Sequence, residues 1–178
     1  MSFISFSVVG FGRIGQRHAK IIHEHPQCML RSVCDVEPKH FDRCQQLGLP
    51  KVNKYHNLDT FLAAEQTSGQ CSDVVTIATP NGFHASYAVK LLRSGYHVVI
   101  EKPMGIKSAE CEEVLIAEKE VVEQPGVPTK VVDTVGAGDS FTASMTLDLL
   151  GAKDYFEILG NACKVAAKVC SHAGAVPQ

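Results

Sequence analysis

The fold is decided by a short stretch near the start of the chain, residues 8–15, which reads Val8-Val9-Gly10-Phe11-Gly12-Arg13-Ile14-Gly15. An apolar run over residues 3–9 leads into the glycines and predicts a buried strand, and a helical pattern follows over residues 13–25. Strand, glycine-rich loop and helix in this order are the context in which Gly-x-Gly-x-x-Gly indicates a dinucleotide site. The spacing alone is a weak signal, because glycine turns also occur in other α/β proteins.

Each glycine of this loop has a separate task in a dinucleotide site. Gly10 permits the tight turn out of the strand, Gly12 lets the backbone approach a pyrophosphate, and Gly15 lets helix and strand pack closely. The start of the helix offers free N–H groups and a partial positive charge to the phosphates. The residues expected to contact the cofactor here are therefore Gly10, Gly12, Arg13, Ile14 and Gly15.

An acidic residue ends the second predicted strand, residues 29–34. This residue is Asp35, and it lies twenty positions after Gly15. An acid at this place binds the ribose hydroxyls of NAD and would repel the 2′-phosphate of NADP. The sequence therefore favours NAD over NADP, and Arg31, which precedes the end of the strand, is not expected to reverse that preference.

Strand and helix patterns alternate along the first two thirds of the chain. After the first pair, the patterns predict strands over residues 29–34, 52–55, 73–78 and 97–100, and helices over residues 39–47, 60–66, 84–93 and 108–120. This alternation predicts an α/β fold with a Rossmann-like, doubly wound parallel sheet.

Several polar residues follow the predicted strand ends, where ligands bind in open α/β sheets. Asp35, Thr79 and Lys102 should therefore lie with the glycine loop at one edge of the sheet. A lysine there can donate a hydrogen bond to a substrate hydroxyl or carbonyl, or act as an acid–base group. The alternative for Lys102 is an ordinary surface lysine after a strand. For His84, a histidine that packs against the loop is an alternative to a ligand contact.

Composition and charge restrict the class of protein. The chain has 178 residues, 45% of them hydrophobic, with a net charge of −2, which suits one domain or a domain plus a fragment. We expect no nucleic-acid partner because there is no basic excess, and no membrane partner because no apolar run is long enough for a span. The N-terminus lacks the basic region of a signal peptide. Seven cysteines without Cys-x-x-Cys pairs indicate reduced thiols, no metal site and a cytoplasmic protein.

Three motifs in the first part of the chain occur in a characteristic order. They are residues 10–15, the Thr79-Pro80-Asn81 motif with His84, and residues 95–103, which end in Glu101-Lys102-Pro103. Together they resemble the N-terminal domain of the Gfo/Idh/MocA oxidoreductases over about residues 4–120. The resemblance implies a sugar or polyol oxidoreductase in which the Glu101-Lys102 pair lies by the nicotinamide and the substrate. It also implies that the loop from Thr79 through Pro80 and Asn81 to His84 passes near the nicotinamide ribose.

The resemblance stops near residue 120. Members of that family continue into a substrate-binding domain that normally supplies a second catalytic group, and this chain does not contain its pattern. Residues 121–128 have two prolines and a glycine, as is typical of a linker. We therefore predict a dinucleotide-binding domain over residues 1–122 and a separate segment over residues 123–178.

A second motif follows the linker, Asp133-Thr134-Val135-Gly136-Ala137-Gly138-Asp139-Ser140-Phe141. It resembles the C-terminal signature of the PfkB, or ribokinase-like, sugar kinases. The resemblance implies an anion hole at Gly136, Ala137 and Gly138, with Asp139 as the base that takes the proton from a sugar hydroxyl. N–H groups at a helix start can stabilise developing charge, and a carboxylate there can orient a hydroxyl. An acid that merely favours the helix dipole is the alternative for Asp139.

The kinase pattern is also incomplete, because its sugar-binding lid and most of its sheet would precede this motif. The two resemblances together indicate a chimera. Residues 129–133 predict a sixth strand that would complete the sheet, and helices are expected over residues 137–150 and 154–171, packed onto that same sheet.

Three functions are consistent with these patterns. The first is an NAD-type binding domain of a sugar or polyol oxidoreductase without its substrate domain, with Lys102 as the catalytic residue. The second is an ATP-dependent sugar kinase fragment with Asp139 as base. The third is an inactive chimeric α/β protein, whose exposed docking surface would favour a homo-oligomer.

Overall fold

The structure is a computed structural model that describes residues 3–49, 51–118, 124–151 and 153–174. The chain divides into two compact units, Met1–Lys119 and Glu120–Gln178, and each is described by itself. In the described ranges, no helix has the length and apolar character needed to cross a membrane.

The first unit contains a five-stranded, all-parallel sheet with the order β3-β2-β1-β4-β5. Its strands are β1 (Ile4–Val9), β2 (Cys28–Cys34), β3 (Asn53–Tyr55), β4 (Val74–Ile77) and β5 (His97–Ile100). Because β1 is central, the chain builds the sheet first to one side and then to the other. The predicted Rossmann-like, doubly wound α/β fold is confirmed.

Four α-helices lie between successive strands, and they are α1 (Arg13–Glu24), α2 (Arg43–Gln46), α3 (Leu58–Ser68) and α4 (His84–Arg93). A further helix, α5 (Ser108–Ala117), follows β5. The helix expected over residues 39–47 is split into a 3₁₀ helix, Pro38–Asp42, and the single-turn α2. Asn57 begins α3 as a cap, because its side chain accepts a hydrogen bond from the Thr60 N–H at 2.8 Å.

The central strand is buried on both faces, as the apolar run predicts for a parallel sheet. Val8 packs in one core cluster with Phe11 and Val33, and Val9 packs in the other with Phe61 and Ile77. Successive side chains of a strand point to opposite faces, so these two valines join both layers of helices to the sheet.

The ends of three neighbouring strands are level. Val9 pairs with Cys34 of β2 and with Ile77 of β4, so the residues that follow these strands emerge at the same edge. The chain passes from β3 to β4 on the other side of β1, so the direction of growth reverses at the β1–β4 pair, and ligands bind at this position in such sheets.

The prediction of a sixth strand over residues 129–133 is wrong. Val131 and Val132 are 60% and 57% exposed, and the sheet ends at β5 and β3. The N–H groups of Val132 and Asp133 instead donate to the carbonyl of Cys170, at 2.8 and 3.2 Å. The β-branched residues favour a strand locally, but hydrogen bonding within the second unit overrides that preference.

The second unit is a pair of helices, α6 (Ala137–Leu150) and α7 (Tyr155–Cys170). Asp154 caps α7, since its carboxylate accepts from the N–H groups of Phe156 and Glu157 at 2.9 and 3.1 Å. The side chains of Asn161 and Lys153 both donate to Asp148, at 2.8 and 2.9 Å, and these bonds lower the pKa of that carboxyl.

Candidate functional site

Two glycines of the loop after β1 are required by the fold itself. Gly10 has a φ of +89°, and a Cβ there would lie 2.5 Å from the carbonyl carbon of Ala78. A Cβ at Gly15 would lie 1.8 Å from the carbonyl oxygen of Gly10. The strand, the loop and α1 therefore come together only because both side chains are absent.

Gly12 differs from the other two glycines. Its φ of −69° is available to any residue, and a Cβ there would meet nothing within 4 Å. The fold therefore gives no reason for a glycine at this position. The missing side chain leaves space directly above the start of α1, where a ligand can approach the backbone.

The positive end of the α1 dipole is not neutralised by any side chain at the start of the helix. No side chain caps it, its first turn holds no acidic residue, and its first helical hydrogen bond runs from the Gln16 N–H to the Gly12 carbonyl at 2.9 Å. The N–H groups of Arg13, Ile14 and Gly15 consequently have no acceptor within the helix. This is the arrangement that binds phosphate groups.

Asp35 is fixed beside this loop. Its Oδ2 accepts from the Phe11 N–H at 2.6 Å, and its Oδ1 accepts from the Glu37 N–H at 2.8 Å. The side chain is only 8% exposed, and Nδ1 of His40 lies 3.0 Å from Oδ2. The structure thus brings Asp35 to the glycine loop, and it adds His40, which the sequence analysis did not identify.

The loop after β4 is linked to the loop after β5 by His84. This side chain is 1% exposed, with Nε2 2.7 Å from the Thr79 carbonyl oxygen and Nδ1 2.7 Å from the Pro103 carbonyl oxygen. His84 therefore holds two loops at the site edge together through backbone atoms. A neutral imidazole donates only one of these two hydrogen bonds, since it carries a single N–H.

The hydroxyl of Thr79 is buried and, among the described residues, has no hydrogen-bond partner. Pro80 and Asn81 are exposed, and the Phe83 N–H donates to the Pro80 carbonyl at 2.9 Å in the turn that leads into α4. A buried polar atom without a partner costs free energy, so a ligand hydroxyl at Thr79 would remove that cost.

A further histidine, His18, lies on α1. His18 Nε2 is 2.6 Å from Oε1 of Glu101, the residue that follows β5. Lys102 comes next and is exposed. No local pattern marks His18, although its place one turn after the glycine loop puts it on the part of α1 nearest the strand ends.

The second motif forms the start of α6. Gly136 has a φ of +81°, and the Ser140 N–H donates to its carbonyl at 2.9 Å, as in the first turn of a helix. Asp139 lies exposed in that turn, beside the exposed Gly138 and the half-buried Ala137. Asp133 accepts from the N–H groups of Val135 and Gly174, both at 3.0 Å, and these bonds lower the pKa of its carboxyl.

Within the described ranges, no cluster of three or more histidine, cysteine, aspartate or glutamate side chains could hold a metal ion. The groups at the sheet edge of the first unit are backbone N–H groups, the fixed carboxylate of Asp35 and polar side chains. These groups suit phosphates, ribose hydroxyls and a hydroxyl-bearing substrate.

Comparison with protein families gives two matches. The oxidoreductase family with an NAD-binding Rossmann fold, GFO_IDH_MocA, matches residues 4–126. The pfkB family of carbohydrate kinases matches residues 97–178, which is less than half of the chain and overlaps the first match.

Curated relatives match the first part of the chain. The scyllo-inositol 2-dehydrogenase (NADP(+)) IolU of Bacillus subtilis is 40% identical over 121 residues, which are 65% of this chain and 34% of that protein. A glycosyl hydrolase family 109 protein of Shewanella pealeana is 26% identical over 119 residues, covering 65% of this chain and 26% of the relative. This chain therefore spans about a third or less of the length of these relatives.

Solved structures show the same likeness. The WlbA dehydrogenase from Bordetella pertussis, in complex with NADH and UDP-GlcNAcA, is 29% identical with a TM-score of 0.56. The match covers 65% of this chain and 34% of that one. It corresponds to the unit that carries the glycine loop.

Proposed function

The chain belongs to the Gfo/Idh/MocA oxidoreductase family and carries its NAD-binding Rossmann domain, and on that premise we propose that it is the cofactor-binding part of a sugar or polyol dehydrogenase. The relatives support this substrate class, because their names include an inositol dehydrogenase and a sugar-nucleotide-bound dehydrogenase. The match covers about a third of the length of each of these two proteins.

The observation that carries the proposal is the open space above Gly12 at the uncapped start of α1. Gly10 and Gly15 are explained by packing, whereas Gly12 is not, so its function is to admit something outside the protein. A pyrophosphate fits there, because the free N–H groups of α1 and the helix dipole both favour an anion.

The adenosine end of the cofactor would lie at Asp35. Its carboxylate is fixed by two backbone N–H groups, so it can accept from the ribose hydroxyls without reorganisation. A fixed negative charge disfavours a 2′-phosphate, and we therefore propose NAD as the preferred cofactor. NADP, which appears in the name of the Bacillus relative, is the weaker ligand.

The nicotinamide end would lie between the loops after β4 and β5. When bound, NAD supplies the acceptor for a hydride from a substrate carbinol. We propose that Thr79, Pro80 and Asn81 contact the nicotinamide ribose, and that Glu101 and Lys102 border the substrate, with His84 holding both loops in place. The exposed Lys102 ammonium would donate a hydrogen bond to the reacting hydroxyl and orient it.

A second candidate rests on the start of α6. We propose that residues 123–178 derive from a PfkB-type sugar kinase and make the chain a chimera, with Gly136, Ala137 and Gly138 as an anion site and Asp139 as the base. The pfkB match and the left-handed Gly136 that leads into α6 support this candidate. It predicts ATP binding by the second unit, which the oxidoreductase family does not require.

Isothermal titration of the full chain with NAD and, separately, with ATP tests both candidates. We expect one NAD per chain, with binding lost in Gly12→Val because the valine fills the space for the pyrophosphate. Gly160→Val is the matched control, since a Cβ at Gly160 also meets nothing within 4 Å but lies in α7. NAD binding that survives Gly12→Val contradicts the proposal, and heat from ATP that survives the same change supports the kinase candidate.

A further inference from the structure

A histidine, His40, lies directly beside the side chain of Asp35. Nδ1 of His40 lies 3.0 Å from the same Oδ2 that accepts the Phe11 N–H at 2.6 Å. His40 is therefore adjacent to the glycine loop, on the carboxylate that would bind the adenosine ribose. Its side chain is 31% exposed, so a ligand can reach the ring from solvent.

The contact between His40 and Asp35 is close but incomplete. Nδ1 is within ion-pair distance of the carboxylate, yet it is a buried atom whose direction satisfies no hydrogen bond. Because Nδ1 lies against the carboxylate, a proton on this ring would act directly on the charge of Asp35.

The local backbone holds His40 in this place. The His40 N–H donates to the Glu37 carbonyl at 3.0 Å, and the Glu37 N–H donates to Asp35 at 2.8 Å. On the other side, Phe41 is buried and packs edge-on against the ring of His56, with ring centroids 5.2 Å apart. The turn that carries His40 is thus anchored between the end of β2 and the core.

Other charged groups near this segment are occupied elsewhere or exposed. On its own segment, Lys39 pairs with Glu37 at 3.3 Å. From α2, Arg43 donates to Gln46 at 2.6 Å. From β3 and the residue after it come Lys54, which is exposed, and His56. In the described part of the chain, Asp35 is the acidic side chain within ion-pair distance of His40.

We propose that His40 sets the choice between NAD and NADP. This inference rests on the proposed function, because it concerns the same cofactor site. With a neutral imidazole, Asp35 keeps its full charge and repels a 2′-phosphate. With a protonated imidazole, the charge of Asp35 is offset and the ring can donate to the phosphate. We therefore expect NADP to bind better, relative to NAD, at low pH than at high pH, because acidification favours the protonated form of an imidazole.

The experiment measures the dissociation constants of NAD and NADP at about pH 5.5 and about pH 8 for the full chain, His40→Gln and Lys39→Gln. The 2′-phosphate itself titrates near pH 6, so the effect is the difference between the parent chain and His40→Gln. We expect NADP affinity of the parent chain to rise on acidification at least about threefold more than that of His40→Gln. NAD affinity should change equally in both.

Lys39→Gln is the charge control. Removing its fixed positive charge should lower NADP affinity by the same factor at both pH values and keep the pH dependence. If NAD binds normally but NADP binding has the same pH dependence in the parent chain and in His40→Gln, the role of His40 is wrong and the proposed function stands. Absence of NAD binding at both pH values overturns the proposed function and the inference with it.

Discussion

His18 and Glu101 lie 83 positions apart in the sequence, and their side chains meet at 2.6 Å between Nε2 and Oε1. His18 belongs to α1, which starts at the glycine loop, while Glu101 leads into Lys102 after β5. The contact therefore connects the phosphate end of the proposed site with its nicotinamide end. Both side chains are partly exposed, so we assign the contact a positioning role, not a large part in stability.

Loss of this contact should weaken binding of the nicotinamide half alone. In Glu101→Gln and His18→Ala, we expect the dissociation constant of NAD to rise roughly three- to tenfold, with that of ADP-ribose unchanged. Titration of each variant with both ligands measures this. Lys20→Gln, which removes an exposed pair with Glu24 on the same helix, is the control. An equal loss for NAD and ADP-ribose would show that the contact serves the phosphate end instead.

The two kinds of glycine in the loop should respond differently to an added methyl group. Gly15→Ala places a Cβ against the Gly10 carbonyl and should lower the free energy of unfolding by about 2–3 kcal/mol or more. Gly12→Ala meets no protein atom and should lower the free energy of unfolding by less than about 1 kcal/mol, since alanine is only a poorer N-cap than glycine. Chemical denaturation of both variants measures the difference. Similar stabilities would mean that α1 is free to move away from β1.

A buried carboxylate should matter for stability. Glu65 of α3 accepts from the Ser72 N–H and hydroxyl at 2.7 and 2.8 Å, and from the hydroxyls of Ser7 and Ser32, both at 3.3 Å. Glu65→Leu leaves the Ser72 N–H and the Ser32 hydroxyl without this acceptor, while the Ser7 and Ser72 hydroxyls keep their mutual contact at 2.7 Å. We expect a loss of about 2–3 kcal/mol in the free energy of unfolding. Denaturant titration measures it, with Glu112→Leu on the exposed side of α5 as the control. A neutral result would mean that water replaces the carboxylate.

Asp73 should make stability depend on pH. The N–H and hydroxyl of Ser5 both donate to its carboxylate at 2.7 Å and lower its pKa from the ordinary value of 3.8. A folded-state pKa below the unfolded one contributes stability above pH 3.8, and that contribution is lost as the pH falls through the folded-state value. The difference in unfolding free energy between the parent chain and Asp73→Asn should therefore shrink on going from about pH 6 to about pH 3. A constant difference would contradict the assigned cause.

The elements of the first unit were predictable because their signals are local. The apolar run before Gly10 and the β-branched run over residues 73–78 each have the pattern of a parallel strand buried on both faces. Asp35 was predictable for the same reason, since an acid directly after a strand can be identified from its neighbours.

The missed residues depend on contacts that no local pattern encodes. His18 meets Glu101 through the order of strands in the sheet, and His40 reaches Asp35 from an irregular 3₁₀ turn. The prediction for residues 129–133 is wrong for the opposite reason, because a local pattern is present there but does not decide the structure. Their β-branched pattern is genuine, but the N–H groups of Val132 and Asp133 donate to the Cys170 carbonyl at the end of α7.

The central claim is that the uncapped start of α1 binds the pyrophosphate of NAD. Amide NMR of the ¹⁵N-labelled chain tests it most directly, by following the N–H signals of Arg13, Ile14 and Gly15 as NAD is added. We expect these signals to shift with saturation, and not to shift in Gly12→Val, whose other signals stay at their folded positions. If NAD binds while these three signals remain unchanged, or if a folded chain shows no response to NAD, the claim is contradicted.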